Sequence, residues 1–283
     1  MNTMTGFIYA LFVVLLIILG LLAVILYKIY KKISIILHNK EEQDKHHIRQ
    51  LKMLESVISM LNNEKYLIYK GGIDTYRQIV AAQEIDRMIG LGHTTNLRGW
   101  PISPDALLEI LKYIKEYKPK LIIELGSGST TAAISSLIKK YNLNTKLISV
   151  DHEKLYLEKT KLKVKYTNNV EFVHAPLKKQ KITGLKSPFN WYDINLINKV
   201  VKNRKADLLI VDGPPESTNN NARLPALRAL ASHLTVRAAI FLDDYNRTGE
   251  RAAAEDWVVF DKDNNLTVES IETEKGLAFF KRG

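Results

Sequence analysis

The chain has 283 residues, no cysteine and a formal charge of +11. That length suits one mid-sized domain plus an extension, and the missing cysteines exclude disulfides and thiolate metal sites. The basic excess points to an anionic surface or to solvated lysines; no RNA- or DNA-binding motif is present, which places nucleic acid behind a membrane as partner.

In chain order, the first segment is apolar. Residues 7–27, "FIYALFVVLLIILGLLAVILY", carry no charge, and at ~1.5 Å per residue they reach about 30 Å, enough to cross a hydrocarbon core. A cleaved signal peptide would need a basic start and a small-residue cleavage site; "MNTMTG" has no basic side chain and no A-x-A comes after the apolar run. A retained single-pass anchor over 1–32 is the expectation. Lys28, Lys31 and Lys32 at its end place the remainder on the cytoplasmic side of the cell membrane by the positive-inside tendency.

Residues 33–98 read as a helical stalk and linker. Leu51, Leu54, Ile58 and Leu61 form one apolar stripe, which fits either a homodimer through a short coiled coil or a helix lying on its own domain. "KGG" at 70–72 is expected to end this helix, with another from about Asp74 to Met88. His46 and His47 read as solvated, and His93 stands alone in a loop over 90–105. Ser103, Pro104 and Asp105 mark a helix start with a hydroxyl cap.

From residue 99 onward strands and helices alternate. Continuous apolar runs at "KLIIEL" (120–125), "KLISVD" (146–151), "VEFVHA" (170–175), "ADLLIVD" (206–212) and "AAIFLDD" (238–244) read as buried strands with helices between most of them. The stretch 153–164 is a lysine-rich helix. "LTVESIE" and "GLAFFKR", joined by "TEKG", read as a closing antiparallel hairpin. The fold class expected is α/β: a Rossmann-like, doubly wound, seven-stranded, mostly parallel sheet with a C-terminal antiparallel hairpin, preceded by a transmembrane helix and a helical stalk.

In such a sheet ligands sit beyond the carboxyl ends of the strands, where this chain places acids: Asp151, Asp212, and Asp243 with Asp244. Unpaired buried charge is costly, so several acids on one rim point to function. The first strand runs through Glu124 into Gly126-Ser127-Gly128-Ser129-Thr130-Thr131. A dinucleotide fingerprint wants glycine where Thr131 stands, and a P-loop wants Gly-Lys-Ser/Thr. The Tyr-x-x-x-Lys pairs of a short-chain dehydrogenase fall before the loop, at Tyr27–Lys31 and Tyr66–Lys70. What remains is a ligand needing close backbone approach without a pyrophosphate. Asp151, 25 residues past Gly126, suits a ribose, and Glu124 suits an ammonium or sulfonium.

These residues resemble the class I S-adenosylmethionine-dependent methyltransferases over about 100–283. "GWPISPD", "ELGSGSTT", "VDGPP", "ARLPALRAL" and "FLDDYNRTGE" resemble a bacterial subgroup with DGPP and DDxxRxxE signatures. The resemblance implies that Glu124, Gly126, Ser127, Gly128 and Ser129 hold the methionine end of S-adenosylmethionine and that Asp151 takes the ribose. It places His152 by the adenosine and His174 and Ala175 near adenine. The chain departs from E-x-G-x-G-x-G at Thr130.

The chemistry then falls to Asp212, Asp244 and Arg247. Methyl transfer needs in-line alignment and, for a hydroxyl acceptor, removal of a proton. Asp243 and Asp244, as neighbours in a strand, are expected on opposite sides, one facing the crevice and the other anchoring Arg223 or Arg247; an ion-paired network holding loops is the structural alternative. The catechol-type O-methyltransferases, which the chain resembles in strand order, place acids around Mg²⁺, and Asp212, Asp243 and Asp244 fall at similar places. Lys178, Lys179 and Lys181 read as a solvated basic loop, while Trp191 and Tyr192 either cover an acceptor or pack a helix. Oxygen is the expected acceptor atom, since no Asn-Pro-Pro-Tyr-type motif is present. The acceptor, whether small molecule, glycan or lipid-linked precursor, stays open, as does a methyltransferase-like scaffold without turnover.

Overall fold

The computed structural model describes residues 2–38, 44–90 and 102–283. The expectations for 91–101, His93 included, and for the side chains of His46, His47 and Leu51 lie outside what is described. Two compact units divide the chain, Met1–Lys70 and Gly71–Gly283.

The first unit is helical. Helix α1 covers Asn2–His38, and its stretch Leu11–Lys32 is long and apolar enough to cross a membrane, with a mean hydropathy of 2.9 and none of it buried by the protein. Helix α2 covers Asp44–Ile89 without a break. The expected stop at residues 70–72 is therefore not a stop. Two glycines cost roughly 2 kcal/mol in a helix interior, but the turns beyond them are anchored: Ala81, Ile85, Met88 and Ile89 are buried in one cluster with the next helix, α3 (Pro104–Tyr117). Tertiary burial outweighs local propensity here.

The second unit holds the sheet. Strands β1 (Leu121–Leu125), β2 (Lys146–Asp151) and β3 (Val170–His174) alternate with α4 (Ser129–Lys140) and α5 (Lys154–Lys163). A short antiparallel pair comes after them, β4 (Leu177–Gln180) with β5 (Phe189–Tyr192), then α6 (Ile194–Val201). Next come β6 (Ala206–Val211), α7 (Pro225–Leu230), β7 (Leu234–Asp243), α8 (Thr248–Phe260), β8 (Thr267–Ile271) and β9 (Leu277–Lys281). The sheet order is β3-β2-β1-β6-β7-β9-β8. The first five strands run parallel, and β9 lies antiparallel between β7 and β8. The seven-stranded expectation holds, closing hairpin included.

The period of two along a strand divides the core. Leu121, Ile123 and Leu125 face the layer of α6, α7 and α8. Ile122 faces α3 and α4, and Glu124 shares that side, which brings it against Thr131 of α4. The β4–β5 pair was not legible in the sequence. "LKKQ" has no apolar alternation, so Lys178 and Lys179 stand in a strand, not a wet loop, and Lys178 pairs with Asp193 at 2.7 Å. Trp191 and Tyr192 on the partner strand are fully buried. Ser103 occupies the expected cap position of α3, yet its hydroxyl makes no capping bond; Asp105 Oδ1 accepts from the Ala106 amide at 2.9 Å.

Candidate active site

The parallel order sets the carboxyl ends of β2, β1, β6 and β7 side by side on one edge. Leu125, the last residue of β1, pairs with Val150 on one side and Val211 on the other. Two bonds tie the loops to this edge: the Gly126 amide donates to the Val150 carbonyl at 2.9 Å, and the Asp212 amide donates to the Leu125 carbonyl at 2.8 Å.

Gly126 has φ +97°, a conformation that favours glycine. A Cβ there would stand 2.7 Å from the Asp212 carbonyl oxygen. The β1 and β6 loops thus touch backbone to backbone. At Gly213 a Cβ would meet the Tyr192 hydroxyl and come within 3.2 Å of the Gly126 Cα. Two glycines face each other across the crevice floor, and the phenol closes it from below.

Glu124 is fully buried. Its Oε2 accepts from the hydroxyls of Thr131 at 2.6 Å and Ser149 at 2.7 Å, while Oε1 has no hydrogen-bond partner. Burial pushes this carboxyl up to about 7, against the opposing hydrogen bonds from Thr131 and Ser149. The Thr131 hydroxyl also accepts from the Gly128 amide at 2.9 Å, so one threonine links the acid to the loop.

Asp151 ends β2. Its Oδ2 accepts from the Ser127 amide at 3.0 Å and the Ser127 hydroxyl at 2.9 Å, and Oδ1 accepts from the Glu153 amide at 2.8 Å. His152 Nδ1 lies 3.4 Å from Oδ1. Burial alone would raise this carboxyl; the close approach of His152 and the bonds from Glu153 and Ser127 outweigh it and hold the group below its ordinary range. Ala175 is fully buried and its amide donates to the Asp151 carbonyl at 2.8 Å, while His174 Nε2 sits 3.1 Å from the His152 carbonyl. Ser129 opens α4 beside this loop. Every expected cofactor residue therefore belongs to one neighbourhood at the ends of β1, β2 and β3.

The acids at β6 and β7 form a second group. Asp212, Asp243 and Asp244 each offer an oxygen within 4.8 Å of the others. The expectation that Asp243 and Asp244 point to opposite sides is corrected: β7 ends at Asp243, and Asp244 takes φ +58°. The strand alternation stops there, and aspartate tolerates the left-handed conformation better than most residues. Asp244 Oδ2 accepts from Arg223 at 2.8 Å and pairs with Arg247 at 2.8 Å, so one acid anchors both arginines.

Arg223 is the residue that sequence reasoning undervalued. It is 3% exposed and its guanidinium reaches Asp212 Oδ1 at 3.3 Å, the Asp243 carbonyl at 2.7 Å and Glu250 Oε1 at 3.6 Å. Burial works against its charge, but the acids around it hold it ionised. Four carboxylates face two guanidiniums, and the imbalance shows. Burial, then the neighbouring Asp243 charge, pushes Asp212 well above its ordinary range despite Arg223. Burial and Asp244 raise Asp243, whose Oδ1 has no hydrogen-bond partner. Three close carboxylate oxygens, an orphaned one among their groups, and a local deficit of positive charge fit a hard divalent cation.

Two tyrosines reach the site: Tyr192, read from the sequence as an acceptor cover or a packing residue, and Tyr156, which the sequence did not single out. Tyr192 is fully buried with no partner for its hydroxyl; burial, then Asp151, raises it far above its ordinary value. The hydroxyl of Tyr156, from α5, lies 3.7 Å from where a Cβ on Gly128 would stand. Only the fold brings either to the loop.

Residues 123–245 match the family model described as a methyltransferase domain. No curated protein matches the chain. Among solved structures, the chain is similar to an O-methyltransferase from Bacillus cereus in complex with S-adenosylhomocysteine, at 12% identity and a TM-score of 0.50, over 75% of this chain and 97% of that one. It is also similar to the S-adenosylhomocysteine-bound methyltransferase PaMTH1 from Podospora anserina, at 11% identity and a TM-score of 0.48, over 73% and 88% of the two chains. A third is the O-methyltransferase TomG from Streptomyces achromogenes, involved in tomaymycin synthesis and complexed with S-adenosylmethionine, at 13% identity and a TM-score of 0.48, over 75% and 96%. At such identities the likeness is one of fold, and the mostly parallel seven-stranded sheet with its antiparallel hairpin is the fold shared with the Bacillus cereus enzyme.

Proposed function

We propose that this chain is a membrane-anchored S-adenosylmethionine-dependent methyltransferase that methylates an acceptor oxygen at the cytoplasmic face. The family match over 123–245 supports the reaction class. The observation that carries the reading is the convergence of Glu124, Asp151 and Asp212 on one glycine loop. Ser127 bonds Asp151, the Asp212 amide bonds the strand that carries Glu124, and Gly126 leaves no room for a side chain between them. Glycine at 126 and 128 lets a ligand approach the backbone amides of the loop. Glu124, with one oxygen free of partners, supplies negative charge for an ammonium or sulfonium. Asp151 takes the ribose, with His152 and Ala175 toward the base.

The acceptor sits toward Asp212 and Asp244. A carboxyl pushed above its ordinary range is a better base near neutrality than a free aspartate, and Asp212 is such a group. Arg247, 40% exposed, stands at the rim on Asp244 and offers a bidentate donor to an anionic acceptor. Asp212, Asp243 and Asp244 would hold Mg²⁺, which when bound lowers the pKa of an acceptor hydroxyl and orients it. In this reading residues 7–27 span the bilayer, the part of α2 before Gly71 serves as the stalk, and the unit Gly71–Gly283, in which the end of α2 is buried against α3, carries catalysis. A glycan or lipid-linked precursor gives the anchor a purpose.

One observation favours a second reading, a methyltransferase-like binding protein without turnover. Asp151 Oδ2 already accepts two bonds from Ser127 and Oδ1 one from Glu153, so little acceptor capacity is left for the two hydroxyls of a ribose. Calorimetry with S-adenosylhomocysteine tests the first claim: absence of binding heat removes the cofactor and the enzyme together. Binding with no methyl transfer to any of a broad acceptor panel, unchanged by Asp212→Asn, favours the scaffold.

A further inference from the structure

Helix α5 is only loosely sealed onto its domain. Its buried residues are Leu157 and Thr160, while Leu155 is 76% exposed and Leu162 89%. A separation of seven returns a helix to the same face after two turns, so the two leucines share a face with Glu158 and Lys159 between them. The run 153–166 holds four lysines besides Lys161, against Glu153 and Glu158. Lys161 is engaged, pairing with Glu158 at 2.7 Å and lying over the Phe172 ring. Lys154, Lys159, Lys163 and Lys165 are exposed and have no carboxylate partner among the described residues.

A single exposed leucine is ordinary. Two on one helical face, ringed by unpaired lysines, are a composition with a direction. The cores of protein interfaces are depleted in lysine. An anionic bilayer surface takes both kinds of side chain: leucine enters the acyl boundary and ammonium groups stay at the phosphates. The same chain carries α1, long and apolar enough to cross that bilayer, with Lys28, Lys31 and Lys32 at its end.

We propose that α5 is a second membrane contact, docking on anionic lipid through Leu155 and Leu162 and held there by Lys154, Lys159, Lys163 and Lys165. The face lies next to the crevice. α5 begins three residues after Asp151, and its Tyr156 lies against the Gly128 loop. Docking therefore holds the crevice at the lipid surface, within reach of an acceptor that keeps its tail in the bilayer. That consequence rests on the methyl-transfer reading; the docking face itself does not.

The chain has no cysteine, so one introduced cysteine takes one environment-sensitive fluorophore. The label goes at Glu158→Cys, which leaves both leucines in place. References are Leu16→Cys in α1 and Val259→Cys on α8, 71% exposed. Full-length protein is placed in nanodiscs of phosphatidylcholine, with or without phosphatidylglycerol, containing spin-labelled quencher lipid. In anionic discs the residue-158 label shifts to shorter wavelength and is quenched, and the residue-259 label is not. Lys159→Glu with Lys163→Glu weakens docking by roughly fivefold per lysine, Leu155→Ser with Leu162→Ser abolishes it, and raised salt diminishes it. The proposal is overturned if the residue-158 label stays in water while the residue-16 label is quenched. It is equally overturned if the residue-158 label is shielded alike in neutral and anionic discs without regard to the lysines, which is the signature of a protein partner or second copy. An unquenched residue-16 label fails the anchor reading alone; the residue-158 label on added anionic vesicles then decides docking.

Discussion

Replacing Glu124 by glutamine isolates one buried carboxyl. The side chain is fully buried, keeps two hydroxyl donors on Oε2 and leaves Oε1 without a partner. Its titration point rises from an ordinary 4.5 to about 7, chiefly by burial. The native state therefore binds this proton more tightly than the unfolded chain does. Its stabilising contribution is complete below pH 4.5 and is lost as pH rises through about 7. At about 1.4 kcal/mol per pH unit, that interval is worth about 3 kcal/mol. Glutamine keeps the shape and the acceptor oxygen but never ionises. Urea unfolding of the full-length protein in one detergent, at about pH 5 and about pH 8, reads the difference. The stability of the variant relative to the parent should improve by about 3 kcal/mol between the two pH values, since other titrating groups cancel in the comparison. Parallel pH profiles for the two proteins would refute the assignment of a strained, buried charge to Glu124. Cofactor affinity should move the other way: a ligand ammonium favours the ionised acid, so S-adenosylhomocysteine binds more tightly above about pH 7 in the parent and not in the variant.

Gly126→Ala combines a left-handed backbone with a Cβ 2.7 Å from the Asp212 carbonyl and should cost about 1–3 kcal/mol in unfolding measurements. Gly128→Ala meets only Tyr156, at 3.7 Å, so it should stay within about 1 kcal/mol of the parent while calorimetry shows weakened S-adenosylhomocysteine binding. Arg223→Met leaves its four carboxylates short of a buried guanidinium; a loss of about 3–5 kcal/mol is expected at about pH 8. Near pH ~5 the loss is smaller, because burial keeps Asp212, Asp243 and Glu250 protonated further up the scale. Added Mg²⁺ should raise thermal stability, by about 3 kcal/mol at about a hundred times its dissociation constant, reversibly with chelator, and Asp243→Asn should erase that response.

Much of the site was legible because strand ends are local features. Apolar runs closing in Asp151, Asp212 or Asp243 mark both the strand and its edge, and a glycine loop after Glu124 marks the turn. The helix through Gly71 and Gly72 was not legible, since burial of Ile85 and its neighbours, not local propensity, holds it. Nor was the β4–β5 pair, whose lysine-rich strand has no alternation to read. Arg223 and Tyr192 were legible only as an alternative ion-pair partner and as a cover or packing residue; their weight comes from burial among acids and against Gly213.

By itself the sequence determined the order of strands and helices, the apolar first segment and the acids at strand ends, because periodicity and hydropathy are written residue by residue. The tertiary structure alone decided that Asp243 and Asp244 converge, that Arg223 answers for four carboxylates, and that Leu155 and Leu162 stay out of the core. Those outcomes depend on a backbone dihedral and on which surfaces meet across the fold, and neither is carried by neighbours in the chain.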